Sequence, residues 1–203
     1  SNTKYDLFTM PVDKSIFKKK MKFIGMTEYL GELNKSKTMM LMYGENFSVI
    51  PLTTHINLKN IYKDFIKDKI NKKLNNMMNL IKIKRYNLNF KNIIFLCYNP
   101  HCSESSTIGV EDTKISDLIK KNYKKILGPY PSDSAFTNYK KNSLYISTYH
   151  DQALIPYKII NRKGYNLTLG LSYRRLSPAH GTAKDIMFKK KSDNASYLAC
   201  MLS

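Results

Sequence analysis

Leu144-Tyr145-Ile146-Ser147-Thr148-Tyr149-His150-Asp151-Gln152 is an apolar run that ends on a histidine, an aspartate and a glutamine. A strand that delivers side chains to a cleft reads this way, and the polar residues continue through Asn166-Leu167-Thr168-Leu169-Gly170 to His180-Gly181-Thr182-Ala183-Lys184-Asp185. Working outward, His55 follows Phe47-Ser48-Val49-Ile50-Pro51-Leu52, and His101 follows Ile93-Ile94-Phe95-Leu96-Cys97. Three of the four histidines therefore stand a few residues beyond an expected strand. In open α/β sheets ligands bind outside the carboxyl ends of strands, and neutral imidazole is the commonest metal ligand. One metal site built from three strand-end histidines is the expectation.

The rest of the chain fits a globular α/β protein. Its 203 residues are 42% hydrophobic, enough for a substantial core. No apolar run approaches a membrane span, and residues 1–6 lack the features of a secretory signal, so no membrane and a cytoplasmic location are expected. The formal charge of +19 raises nucleic-acid binding as a possibility, but only four of the 34 basic residues are arginine. Nucleic-acid readers favour arginine for its bidentate geometry. Lysine spread along the whole chain reads instead as a solvated basic surface, and no nucleic-acid partner is expected. Cys97, Cys102 and Cys200 show no Cys-x-x-Cys spacing, and no disulfide of consequence is expected.

Periodicity supplies the remaining elements. A short strand is expected over residues 6–10, a helix capped by Asp13 through about residue 21, and a second helix entered at Gly25-Met26-Thr27-Glu28 with Thr27 as N-cap. Two apolar runs flanking Gly44-Glu45-Asn46 suit a hairpin or two adjacent strands. Apolar residues at three- and four-residue intervals predict an amphipathic helix or helix pair over 57–82. A further helix runs from Ile115 to Ile126, closed by Gly128-Pro129, with a loop at Pro131-Ser132-Asp133-Ser134 and a final helix over 193–202.

Four motifs now stand in order: Thr53-Thr54-His55, Asn99-Pro100-His101 with Gly109-Val110-Glu111-Asp112, Tyr149-His150-Asp151-Gln152, and Ser177-Pro178-Ala179-His180-Gly181-Thr182-Ala183. Together they closely resemble the 4-hydroxythreonine-4-phosphate dehydrogenase family of pyridoxal phosphate (vitamin B6) synthesis. The resemblance implies the layered α/β/α fold of isocitrate and isopropylmalate dehydrogenases, with the family's N-terminal region missing ahead of Ser1. It implies a central α/β region at 1–150 and a C-terminal substrate- and cofactor-binding segment at 151–203, or one continuous unit.

The resemblance also assigns residues. His55, His101 and His150 match the family's metal ligands, shared across a homodimer, with zinc, magnesium, cobalt or manganese as the divalent metal. Met26, Thr27, Lys158, Asn166 and Arg175 match substrate-binding positions. His180, Gly181, Thr182, Ala183 and Asp185 match the NAD-binding loop, where this group needs no Gly-x-Gly-x-x-Gly fingerprint. Asp133 and Asp151 are the candidates for proton transfer. The activity implied is NAD- and metal-dependent oxidation and decarboxylation of a small phosphorylated substrate, 4-phosphooxy-L-threonine, to 3-amino-2-oxopropyl phosphate. Two departures stand out: Met26 occupies a position where the family usually has histidine, and Cys102-Ser103-Glu104-Ser105-Ser106 replaces a segment richer in glycine. Altered choice toward 4-phosphorylated threonate or erythronate, or a catalytically silent binding remnant, are the alternatives.

Overall fold

Apolar runs rich in isoleucine, leucine and methionine alternate with helices whose apolar residues recur every three or four positions, and a layered arrangement follows. The computed structural model describes residues 5–13, 23–63, 69–183, 186, 189 and 193–203. In chain order the elements are β1 (Leu7–Phe8), α1 (Met26–Leu33), β2 (Met39–Gly44), β3 (Ser48–Pro51), α2 (Ile70–Leu80), β4 (Asn92–Leu96) and α3 (Glu111–Asn122). Then come β5 (Ile126–Tyr130), α4 (Ser132–Thr137), β6 (Ser143–Ser147), α5 (His150–Ile160), β7 (Gly164–Leu169), β8 (Arg175–Pro178) and α6 (Ala195–Met201).

All eight strands form one sheet, ordered β1-β8-β7-β2-β3-β6-β4-β5. The β3-β6-β4-β5 half is parallel throughout. In the other half β7 runs antiparallel to both β2 and β8. The C-terminal strands β7 and β8 thus sit between β1 and β2, and the 151–203 segment shares its sheet with the rest of the chain.

Strand alternation sorts side chains onto two faces. One face carries Met39, Leu41, Ile50, Leu52, Phe95, Leu144, Ile146, Leu167, Leu169 and Leu176, in one core with residues of α2, α3 and α6. The opposite face carries Val49, Ile94, Leu96 and Tyr145 under α4 and α5, around the buried ring of Phe47. That ring meets Phe136, Tyr139 and Tyr145 with centroids 5.3 to 5.4 Å apart. On this second face β7 and β8 present Asn166, Thr168, Arg175 and Ser177, and α5 packs over β3 and β6 instead.

The structure corrects several expectations. The helix from Ile115 stops at Asn122, and Ile126 begins β5, where it pairs with Ile93. Pro129 is tolerated there because β5 is an edge strand, whose outer side needs no ladder donor. The loop at 131–134 is instead the start of α4, because Asp133 Oδ1 accepts the Ser134 N–H at 2.8 Å and Ser134 Oγ donates to the Pro131 carbonyl at 3.3 Å. Cys97 and Cys102 form a disulfide with Cα atoms 5.0 Å apart, since the turn after β4 folds Cys102 back toward the strand. Of the amphipathic stretch 57–82, the described residues include a 3-10 turn at Leu58–Asn60 and α2. Within it, residues 64–68 lie outside the described residues, as does most of the helix expected after Asp13. No helix among the described residues is long and apolar enough to cross a membrane.

Candidate functional site

α5 begins at the carboxyl end of β6 and forms a partition. Residues four apart on a helix share a face, so His150, Leu154 and Lys158 line one cavity, of about 390 Å³. Asp151, Gln152 and Ile155 line a second, of about 560 Å³. Gln152 pins the first turn of this helix: its Nε2 donates to the Cys97 carbonyl at 2.5 Å and to Ser132 Oγ at 2.7 Å. Its Oε1 accepts from the backbone N–H and the hydroxyl of Thr148.

The first cavity lies over the polar patch of the sheet. Met40, Met42, Asn166, Arg175 and Ser177 form its floor, and His180 and Gly181 lie at its margin. Its lining holds Arg175 and Lys158 and no carboxylate among the described residues. Arg175 is only 3% exposed. Its guanidinium donates to Thr9 Oγ1 at 2.9 Å and to Thr168 Oγ1 at 3.2 Å. Among the described residues no carboxylate forms an ion pair with it. Burial lowers its pKa to about 10. A buried charge without a counter-ion is costly, and the Asn166 Oδ1 nearby is buried without a hydrogen-bond partner. Arg174 points elsewhere, to an ion pair with Asp6.

The second cavity lies beyond the carboxyl ends of β4 and β6 and has the opposite character. It contains His101, Asp133 and Asp151, with no lysine or arginine among the described residues. The turn carrying His101 is tied down by buried Asp112, which accepts the N–H groups of Tyr98 and Asn99 at 2.6 and 2.9 Å and the Ser103 hydroxyl at 2.8 Å. Residues 101–106 all take left-handed backbone, with φ from 45° to 73°. Glycine adopts that conformation without cost, whereas each L side chain costs about 1 to 2 kcal/mol.

The parallel strand order β3-β6-β4 sets the histidines that follow those strands side by side, with His150 in the middle. The chain brings His55 and His150 together, their ring centroids 6.2 Å apart, while His101 lines the second cavity. Each ring of the pair has Nδ1 engaged: His55 with Glu28 Oε1 at 3.0 Å, His150 with Asp151 Oδ1 at 2.6 Å. Burial raises the Glu28 pKa, but hydrogen bonds from His55, Thr54 and its own backbone outweigh it and hold the carboxyl at about 2. An ionised carboxylate only accepts, so the hydrogen bond to Glu28 requires a proton on His55 Nδ1. Carboxylate-oriented imidazoles are the usual outer arrangement of histidine metal sites, and this donor chemistry fits a divalent cation. Among the described residues, however, no three His, Cys, Asp or Glu side chains are grouped to hold one.

Met26 lines the first cavity. Thr27, beside it, is buried with Oγ1 3.4 Å from Thr168 Oγ1, and faces a third cavity bordered by Glu28, Lys37, Lys69, Lys72 and Lys73. His180 Nδ1 lies 2.9 Å from the Gly181 carbonyl. Thr182 and Ala183 are exposed, and Asp185 lies outside the described residues. Gly170, with φ of 100°, needs to be glycine; nothing crowds Gly181. Sequence reasoning missed Glu28, Thr9 and Thr168. The alternation of polar and apolar residues in Asn166-Leu167-Thr168-Leu169 and Arg175-Leu176-Ser177 was the signal for Thr168. The contacts of Glu28 and Thr9 span 27 and 166 positions and left none.

Comparison with known proteins places the chain in a family. A 4-hydroxythreonine-4-phosphate dehydrogenase of Hydrogenobaculum is 39% identical over 198 residues, which cover 94% of this chain and 62% of that protein. Its counterpart from Aquifex aeolicus is 38% identical over 206 residues, covering 96% and 62%. The crystal structure of the Klebsiella pneumoniae 4-hydroxythreonine-4-phosphate dehydrogenase superposes with a TM-score of 0.75 at 26% identity, over 97% of this chain and 62% of that one. An isocitrate dehydrogenase of Methylococcus capsulatus, at 11% identity and a TM-score of 0.54, shares the fold. The chain therefore spans less than two thirds of the length of these relatives. The profile of pyridoxal phosphate biosynthetic protein PdxA matches residues 2–202, all but the two end residues, and this chain belongs to that family.

Proposed function

We propose that this chain supplies the substrate- and metal-binding part of a cytoplasmic, homodimeric 4-hydroxythreonine-4-phosphate dehydrogenase. The reaction is oxidation of 4-phosphooxy-L-threonine by NAD with loss of carbon dioxide, giving 3-amino-2-oxopropyl phosphate. The observation that carries this reading is the first cavity: among the described residues it holds a buried guanidinium without a counter-ion, a lysine beside it, and no acid in the lining. Such a lining suits a phosphorylated ligand, which arginine grips in bidentate fashion and lysine attracts as a point charge. Asn166 Oδ1 is left to accept a hydrogen bond from the substrate, and Met40 and Met42 keep water from the floor.

His55, His101 and His150 would hold the divalent metal, two from one subunit and the third from its neighbour. Once bound, the cation supplies Lewis acidity to the substrate's oxygens. Asp133 and Asp151, which line the second cavity, are the proposed groups for proton transfer. The His180 to Asp185 stretch, whose first two residues line the first cavity, is the proposed NAD contact. Met26 in that cavity's wall favours a second reading, action on 4-phosphorylated threonate or erythronate, because a thioether offers no hydrogen-bond donor.

The test is to supply 4-phosphooxy-L-threonine, NAD and zinc or manganese and follow the absorbance of NADH. A rise supports the proposal. A rise only with the sugar acids supports the second reading. A flat trace with every substrate, although the phosphorylated compounds still bind by calorimetry, reduces the chain to a binding module.

A further inference from the structure

His55 stands on a turn beyond β3 and is partly exposed, so packing alone does not fix its ring. Glu28, in the first turn of α1, reaches it across 27 positions of chain, and the oxygen that meets His55 Nδ1 at 3.0 Å also accepts the Thr54 hydroxyl at 2.8 Å. The contact depends on Gly25. A Cβ at that position would lie 2.5 Å from Glu28 Oε2 and 2.8 Å from His55 Cε1, closer than real side chains pack. The Gly25 backbone is extended, with φ of −169°, so glycine is needed there for room and not for conformation. The other carboxylate oxygen, Oε2, is buried without a hydrogen-bond partner. That is an expensive arrangement for a residue whose only task is to tie α1 to the turn after β3.

We propose that Glu28 is a positioning residue for metal capture: it holds the Nδ1 proton of His55 so that Nε2 is presented as a ligand beside His150, in the space Gly25 leaves open. The inference rests on the divalent-cation reading of His55 and His150. It goes further by assigning the tautomer of the first ligand to an acid on a different helix. Outer carboxylates of this kind change metal affinity by roughly 10- to 100-fold when removed.

The experiment titrates Zn²⁺ by calorimetry into the full chain, as wild type, Glu28→Gln, Gly25→Ala and His55→Ala. The His55 ring tautomer is read from nitrogen chemical shifts without metal. The wild type is expected to show the proton on Nδ1. Glu28→Gln, which keeps the shape, removes the charge and can turn its amide N–H toward Nδ1, should move population to the Nε2–H form and weaken zinc by about 10- to 100-fold. Gly25→Ala, which pushes acid and ring apart while leaving both in place, should act in the same direction and stands in if Glu28→Gln fails to fold. Unchanged tautomer and zinc affinity in both variants, with His55→Ala losing zinc, would overturn the role of Glu28 and leave the metal reading standing. Zinc binding that survives His55→Ala overturns the metal reading and this inference with it.

Discussion

Among the described residues, on one side of α5 lies a cavity with Arg175 and Lys158 and no acid; on the other lies a cavity with two aspartates and no lysine or arginine. The same helix lines both. The contrast comes from what each cavity rests on. The first lies over the β8-β7-β2 part of the sheet, where alternation brings Arg175, Asn166 and Ser177 up to its floor. The second opens where the parallel strands β4 and β6 end, beside an aromatic core closed by α4 and α5. A sheet can therefore keep a cationic lining apart from an acidic one, using one helix and two regions of one face.

The largest expected effect tests the acidic side. Asp133→Asn retains an acceptor for the Ser134 N–H but loses the charge, so turnover should fall by about 10²- to 10⁴-fold with substrate affinity unchanged; a change in KM with constant kcat would erase the distinction between the cavities. Next, Arg175→Met on the cationic side should weaken binding of a phosphorylated ligand by about 2 to 3 kcal/mol, measured by calorimetry. Its melting temperature should move little, because relief from burying an uncompensated charge offsets the lost bonds to Thr9 and Thr168. A melting temperature that collapses would make Arg175 a structural residue.

Smaller effects sharpen the picture. Ser105→Gly and Ser106→Gly, each relieving a left-handed residue in the turn that serves the acidic cavity, should stabilise the chain by about 1 kcal/mol apiece in urea unfolding. On the other side, Asp6 tethers Arg174, the neighbour of Arg175. The Arg174 hydrogen bond holds the Asp6 carboxyl below its usual range. A carboxyl lowered on folding adds stability above its unfolded pKa and loses it as pH falls through the folded value. Asp6→Asn should therefore cost about 0.5 kcal/mol at neutral pH and nothing in strong acid, since both partners are partly exposed.

Much of this was legible in the sequence, and for identifiable reasons. Continuous apolar runs such as Ile93 to Cys97 and Leu144 to Ser147 can bury both faces only as central strands, and β4 and β6 are where those runs stand. The helix over His150–Ile160 was not read from the sequence, and with it went the spacing that sets His150, Leu154 and Lys158 on one face. Other features escaped because their cause is not local. Ile126 keeps helical spacing with Tyr123 and Ile119 and yet joins the sheet, since pairing with Ile93 outweighs the period. The division of the site residues between two cavities depends on which strand lies beside which. The Glu28–His55 contact depends on a glycine whose small size has no signature in a pattern of polarity.

α5 acts as a party wall whose two tenants share one set of bricks. Inserting a single residue after Gln152 would turn everything beyond it by about 100°. Leu154 and Lys158 would swing away from the arginine, and other side chains of the helix would take their place. Neither compartment can be re-registered without evicting the other, which leaves point substitution, not insertion, as the route by which this helix can be remodelled.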